Sequence, residues 1–313
     1  MLSKNLAMIL STTLMYSTPL IFTSLGGVFS ENAGVVNIGL EGMMTIGAFA
    51  GAATAVFTGN PWLAFLVAGI AGGIFALLHA IATVKFNADH VVSGIAINFL
   101  APGVALFLCR RLFDGSTMTP SIDLGQKIPR PFNGIFAKGS FMDIVFNTYA
   151  TVYLAFILVA VTWYILYKTR LGLRIRAVGE HPKAADTLGI NVYNIKYLCV
   201  ILSGILAGFG GASMSLAIVS SFRPTLISGQ GYIALAALIF GKWKPQGAML
   251  ASLLFGASTG LAIFLGNPEI GLNVSENLLS MVPYIITLVV LILFVGKANG
   301  PAANGQPYEK GQR

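Results

Sequence analysis

Long apolar runs alternate with short polar breaks along nearly the whole chain. Nine runs stand out, at about 6–29, 43–58, 62–84, 91–109, 148–167, 197–219, 232–240, 247–265 and 278–295. About 20 apolar residues in helical conformation cross the hydrocarbon layer of a bilayer, where every backbone amide must be satisfied within its own segment. The pattern therefore predicts an all-α, polytopic membrane protein with about nine transmembrane helices. The first run is dense in hydroxyls (Ser11, Thr12, Thr13, Tyr16, Ser17, Thr18, Thr23 and Ser24), so it should face other helices rather than lipid. Two glycine-rich breaks, NIGLEG at 37–42 and SGQG at 228–231, each adjoin a short run and read as interruptions of membrane helices. The sixth run brings Gly204, Gly208 and Ala212 to one side and Ala207, Gly211 and Ser215 beside them, and the eighth repeats the spacing at Gly256 and Gly260. Small residues four apart let helix backbones approach closely. Pro102 predicts a kink in the fourth run.

Between the fifth and sixth runs lies a polar island, residues 168–196, with six of the chain's nineteen Lys and Arg. Within it EHPKAADTL at 180–188 predicts a two-turn helix, with Glu180 near its positive end, Pro182 in its first turn and Gly189 as a left-handed stop. Ala184, Ala185 and Leu188 would share a small apolar face. So short a helix does not repay its own nucleation, and its face is expected to dock on a soluble partner. Placing this loop in the cytoplasm puts the N-terminus outside and the C-terminus inside. Twelve Lys and Arg then fall inside and seven outside, in the sense of the positive-inside rule. The first four spans begin outside and the last four inside, with the fifth between them, which is the layout of an inverted repeat. A transmembrane domain over 1–296 is expected to be followed by a polar, disordered tail at 297–313.

Composition narrows the class. Only 10% of residues are charged and 56% are hydrophobic, which excludes an ordinary soluble domain. The net charge of +8 flanks apolar spans, so anionic lipid headgroups explain it without nucleic acid. Cys109 and Cys199 border apolar runs without metal or CxxC spacing and read as small hydrophobic residues. The first apolar run resembles a signal peptide but has no small-x-small cleavage pattern and is read as a retained helix.

Few groups could carry chemistry. Glu41 reads as the only acid close to the membrane interior, serving either as a pathway group or as a partner for the positive end of its own helix. Asn37 is either a helix cap or a hydrogen-bond donor to solute. With Asn98, Gln230 and Ser213 these are the candidate pathway residues. His79 has no acidic partner at helical spacing and reads as a satisfied interfacial histidine. The scarcity of buried acids and histidines argues against an ion-coupled carrier, the main alternative, in which Glu41 or His79 would bind the ion. No GxxxxGK[ST] loop is present to hydrolyse ATP, and no triad or metal-spaced cluster suggests an enzyme.

The stretch GVVNIGLEGMM at 34–44, TRLGLR at 169–174, AVGEHPKAA at 177–185 and GIN at 189–191 together resemble the permease subunits of bacterial ABC importers. Within the branched-chain amino acid, ribose and simple-sugar group, the chain is most similar to nucleoside-import permeases, over nearly its whole length. The resemblance implies a second, related permease, making a heterodimer. It also implies ATP-binding cassettes that hold the ATP and Mg²⁺, a substrate-binding lipoprotein, and residence in the bacterial inner membrane with no cofactor in this chain. It further implies that residues 179–188 form the coupling helix seated in the ATPase, which makes Glu180, Ala184, Asp186 and Leu188 the candidate coupling residues, with Arg174 and Arg176 placing the loop at the membrane surface. Compared with sugar permeases, the chain lacks an extra N-terminal span.

Overall fold

The computed structural model describes residues 2–266 and 299–310, with isolated positions from 278 to 292. Among the described residues there are seven helices long and apolar enough to cross a membrane. They are α1 (Leu2–Asn32), α2 (Leu40–Thr58), α3 (Pro61–Ala80, prolonged by a π-helical turn Ile81–Lys85), α4 (His90–Leu112), α6 (Ala150–Lys168), α9 (Val192–Ser213, prolonged by the π-helical turn Met214–Ile218) and α11 (Pro245–Leu265). Shorter helices are α5 (Phe141–Phe146), α7 (Arg170–Glu180), α8 (Pro182–Thr187) and the apolar α10 (Gln230–Phe240). These account for eight of the nine expected apolar segments, α10 being too short to cross alone, and the ninth, at 278–295, falls largely outside the described residues.

Local chemistry sets the helix ends. Gly59 closes α2 at φ +68°, and Asn60 then caps α3 by accepting from the Trp62 and Leu63 amides at 3.0 and 3.2 Å, with Pro61 in the first turn. Asp89 caps α4 in the same way at 2.9 Å. Pro102 lies inside α4, which continues as one helix to Leu112.

The hydroxyl-rich α1 is buried from Ser17 onward, while Ser11, Thr12, Thr13 and Tyr16 are only partly covered. Thr18 and Thr23 donate back to the Leu14 and Pro19 carbonyls, and Ser24 meets Ser252 of α11 at 3.3 Å. In α9, Gly204 and Gly208 face α3, where a Cβ added to Gly72 would collide with the Gly204 carbonyl, whereas Gly211 lies against Met44 and Ala48 of α2. Backbone-to-backbone contact of this kind replaces the hydrophobic drive that lipid cannot supply.

The most extensive interhelical contacts are α3 on α9 and α1 on α11. If the first and sixth spans correspond, and the third and eighth, exchanging the halves turns one of these contacts into the other. Polar connections also separate into two ends. At one end the 119–122 loop pairs with 220–222, through Thr119 N–H to the Phe222 carbonyl at 3.1 Å and Ile122 N–H to the Ser220 carbonyl at 2.7 Å. At the other end lie α8, the 32–36 break, the 241–244 turn and residues 299–310.

Candidate substrate pathway and coupling surface

The two glycine-rich breaks meet. After α1 the chain turns at Gly34, φ +81°, and runs without helix to Leu40. Asn37 is 1% exposed; its Nδ2 donates to Ser203 Oγ on α9 at 2.8 Å, and its Oδ1 has no protein partner. Asn98 of α4 bridges the break, accepting from Gly42 N–H at 2.8 Å and donating to the Ile38 carbonyl at 3.0 Å and the Tyr232 hydroxyl at 2.9 Å. Glu41 is half-buried, and its two oxygens accept from the Gly229 and Gly231 amides, each at 2.7 Å. These are the free amides at the start of α10, so Glu41 caps the helix of the other half by hydrogen bonding rather than its own. An added Cβ at Gly231 would press on the Glu41 backbone, which leaves only glycine at this approach. Gln230, the first residue of α10, is half-buried beside this junction. Ser213 does not join it: buried, it donates to the Phe209 carbonyl of its own helix at 2.9 Å, about 15 Å along α9 from Ser203.

The break is gripped from beneath by two buried histidines. His79 pairs with the Val36 carbonyl at 3.1 Å and Ser93 at 2.9 Å, and His90 Nδ1 accepts from Val36 N–H at 3.2 Å. His79 is thus satisfied, and the neighbouring Asp89 turns away to cap α4.

At the same end, Thr169 caps the amphipathic α7, accepting from Gly172 N–H at 3.2 Å. Ile175 and Val178 point inward, Arg174 is exposed, and the Arg176 guanidinium lies 5.0 Å over the Tyr167 ring. The expected two-turn helix is shorter than 180–188. Glu180 ends α7, His181 breaks the helix, and α8 occupies only Pro182–Thr187 before Gly189 at φ +80°. Its apolar face is also divided: Ala185 is buried, while Ala184 is exposed and Leu188 is 82% exposed. Positions 184 and 188 are one turn apart on the outer side, and 185 lies about 100° round from 184. Asp186 lies 3.9 Å from the Lys310 ammonium.

The tail, expected to be disordered, is packed here over residues 299–310. Ala302 and Ala303 donate to Glu180 and to the Gly179 carbonyl, and Tyr308 is buried against Tyr193 with ring centroids 5.4 Å apart. Between α8 and the tail is a cleft of about 590 Å³, lined by His181, Lys183, Ala184, Gln306, Pro307 and Glu309 among others. A second interior acid also emerges. Glu31 is 3% exposed and accepts from Trp243 Nε1 at 2.6 Å and Asn304 Nδ2 at 2.9 Å, at the end that carries α8 and the tail. Glu31 adjoins the break in sequence, the one signal that could have drawn attention to it. Its partners, like Ser203 for Asn37, come from distant parts of the chain.

Residues 9–291 match the protein family described as branched-chain amino acid transport system, permease component. The chain belongs to this permease family. It is 45% identical over 324 residues to the guanosine ABC transporter permease protein NupQ of Bacillus subtilis, covering 98% of each chain. To the nucleoside ABC transporter permease protein NupC of Lactococcus lactis it is 46% identical over 315 residues, again covering 98% of each. A further guanosine ABC transporter permease protein of Bacillus subtilis, NupP, is 26% identical over 300 residues, covering 91% of this chain and 80% of its own.

The protein is therefore a multi-pass membrane transport component. Both breaks, α7 and α8 lie inside the matched residues, and the packed part of the tail lies beyond them. Among the described residues no group of His, Cys, Asp and Glu is arranged to hold a metal ion.

Proposed function

We propose that this permease forms half of the translocation pathway of an ATP-driven ABC importer for nucleosides in a bacterial inner membrane. The full-length similarity to NupQ and NupC carries this reading. The end bearing α8 faces the cytoplasm, with the N-terminus outside, in keeping with the distribution of Lys and Arg. Ala184, Asp186 and Leu188 meet a separate ATPase that binds ATP and Mg²⁺, with Glu180, Arg174 and Arg176 holding the loop in place. The exposure of Ala184 and Leu188 on so short a helix supports a protein contact there. A second, different permease completes the pathway, an arrangement supported by the two Bacillus guanosine permease proteins that both resemble this chain. A substrate-binding lipoprotein delivers solute from outside. Asn37, Asn98, Glu41 and Gln230 line the path, and the Oδ1 of Asn37, buried and partnerless here, becomes an acceptor for a sugar hydroxyl or base N–H when the path opens. Ser213 lines it nearer the outer end.

The test is uptake of labelled guanosine into proteoliposomes containing the two permeases, the ATPase and the binding protein. Uptake should require internal ATP and be competed by other nucleosides but not by glucose. Uptake by this chain alone, driven by an ion gradient, would overturn the assignment.

A further inference from the structure

Residues 299–310 lie between two elements that an ATP-driven cycle has to connect. On one side they hold the end of α7 and α8: Ala303 N–H donates to the Gly179 carbonyl at 2.9 Å, Ala302 N–H to Glu180 at 3.2 Å, and Lys310 approaches Asp186 at 3.9 Å. On the other they hold the end of α1 and the first break: Asn304 Nδ2 donates to Glu31 at 2.9 Å, and Gly305 N–H to the Gly34 carbonyl at 3.3 Å. Lys196 of α9 adds a contact to the Gln306 carbonyl at 3.5 Å. The oxygen of Glu31 that receives Asn304 also receives Trp243 Nε1, and Gly300 packs on the same Trp243 ring. One buried carboxylate thus joins the tail, α1 and the turn between α10 and α11.

The need for such a tie follows from the backbone. α8 has six residues and is separated from α7 by His181, which is not helical. Displacement of α8 by a partner would be absorbed at that residue unless something fixed both of its sides. Residues 302–310 reach across it, bonded before the hinge at Gly179 and Glu180 and meeting Asp186 after it through the Tyr308 hydroxyl and the Lys310 ammonium. The same segment, through Asn304 and Gly305, reaches the break that carries Asn37 and leads to Glu41.

We propose that the C-terminal tail is a strap, anchored by Glu31 and Asn304 as positioning residues, that delivers the movement of α8 to the 33–42 segment. The proposal rests on the ATP-driven reading above. A demonstrated response of that segment, rather than proximity, is what establishes such coupling.

The experiment uses the reconstituted complex with its ATPase and compares wild type with three variants. The first lacks residues 301–313, the second is Asn304→Asp, which sets a carboxylate against Glu31, and the third is Glu31→Gln combined with Asn304→Asp, which restores a donor and an acceptor. Uptake per ATP hydrolysed should fall about tenfold in the first two and largely recover in the third. ATPase binding and ATP hydrolysis should stay near wild type, while melting temperature falls in the first two variants, which lose contacts to the buried Glu31, and recovers in the third. The ATP-dependent change in amide hydrogen exchange across 33–42 should vanish in the first two and return in the third. A responsive wild type with equally responsive variants overturns the strap alone, as does loss of ATPase binding on tail removal, which would make the tail a docking contact. A wild-type complex in which ATP alters neither uptake nor exchange overturns the ATP-driven reading and the strap with it.

Discussion

Replacing Glu41 by alanine removes the contact that joins the two breaks. The carboxylate accepts two backbone hydrogen bonds at 2.7 Å from the first amides of α10. Each charge-assisted bond contributes about 1.5–3 kcal/mol net, and the positive end of the helix adds up to about 1 kcal/mol. The upper limit would be about 7 kcal/mol, but the site is half-buried and water can take up part of the exposed N–H groups. The expected loss is about 3 kcal/mol for Glu41→Ala, and about 1 kcal/mol for Glu41→Gln, which keeps one acceptor without the charge. In a chain of this size the alanine variant should melt about 5 °C lower and the glutamine variant about 2 °C lower. Thermal unfolding of the purified protein in detergent measures both. Gly231→Ala tests the same contact from the other side, because its Cβ would push into the Glu41 backbone with the carboxylate intact. If Glu41→Ala and Glu41→Gln both melted within a degree of wild type, the cap would not be what holds the junction. Were Gly231→Ala harmless while Glu41→Ala was not, the close approach at α10 would be wrong.

Ala184→Arg puts a charge on an exposed position, so the protein should insert and fold normally while ATP-driven uptake drops about tenfold or more and ATP hydrolysis continues; normal uptake would remove α8 from the coupling path. Gly72→Val should cost about 3 kcal/mol or more, seen as lost monodisperse protein on size exclusion, because the added atoms meet the α9 backbone, whereas Gly103→Val, with open space around it, should behave as wild type. Ala184→Cys and Met118→Cys should react with an impermeant maleimide from opposite faces of sealed vesicles, position 184 from the cytoplasmic side, with little background from the buried Cys109 and Cys199. Labelling of both from one face would overturn the assigned topology.

Spans were legible because a bilayer imposes length and apolarity on each crossing, and the hydroxyls of α1 and the small residues of α9 announced burial and close packing. The location of the breaks was legible too, since glycine and polar residues interrupt an apolar pattern where nothing else would. Their contents were not. Glu41 could be seen to want a helix N-terminus, but which one depends on bringing residue 41 beside residue 229, and no periodicity carries that. Glu31 escaped notice for a related reason: its donors are Trp243 and Asn304, and an acid at the end of a hydrophobic run normally signals water. The tail was read as disordered because it is polar and terminal, and neither property says anything of a groove ready to receive it.

The junction also accounts for a single acid serving two interrupted helices. The helices α2 and α10 both begin there, and each brings about half a positive charge to its N-terminus. Two such ends would repel and leave amides unpaired in a half-buried place. Asn98, a neutral acceptor, takes the Gly42 amide of α2, and the Glu41 carboxylate takes those of α10. One negative charge is enough to offset two half charges, so the second half needs no acid of its own and carries the neutral Gln230 at the start of α10. Because the groups that bind the two ends lie on α2 and α4 of the first half, moving the 33–42 segment without α10 would break the two Glu41 hydrogen bonds.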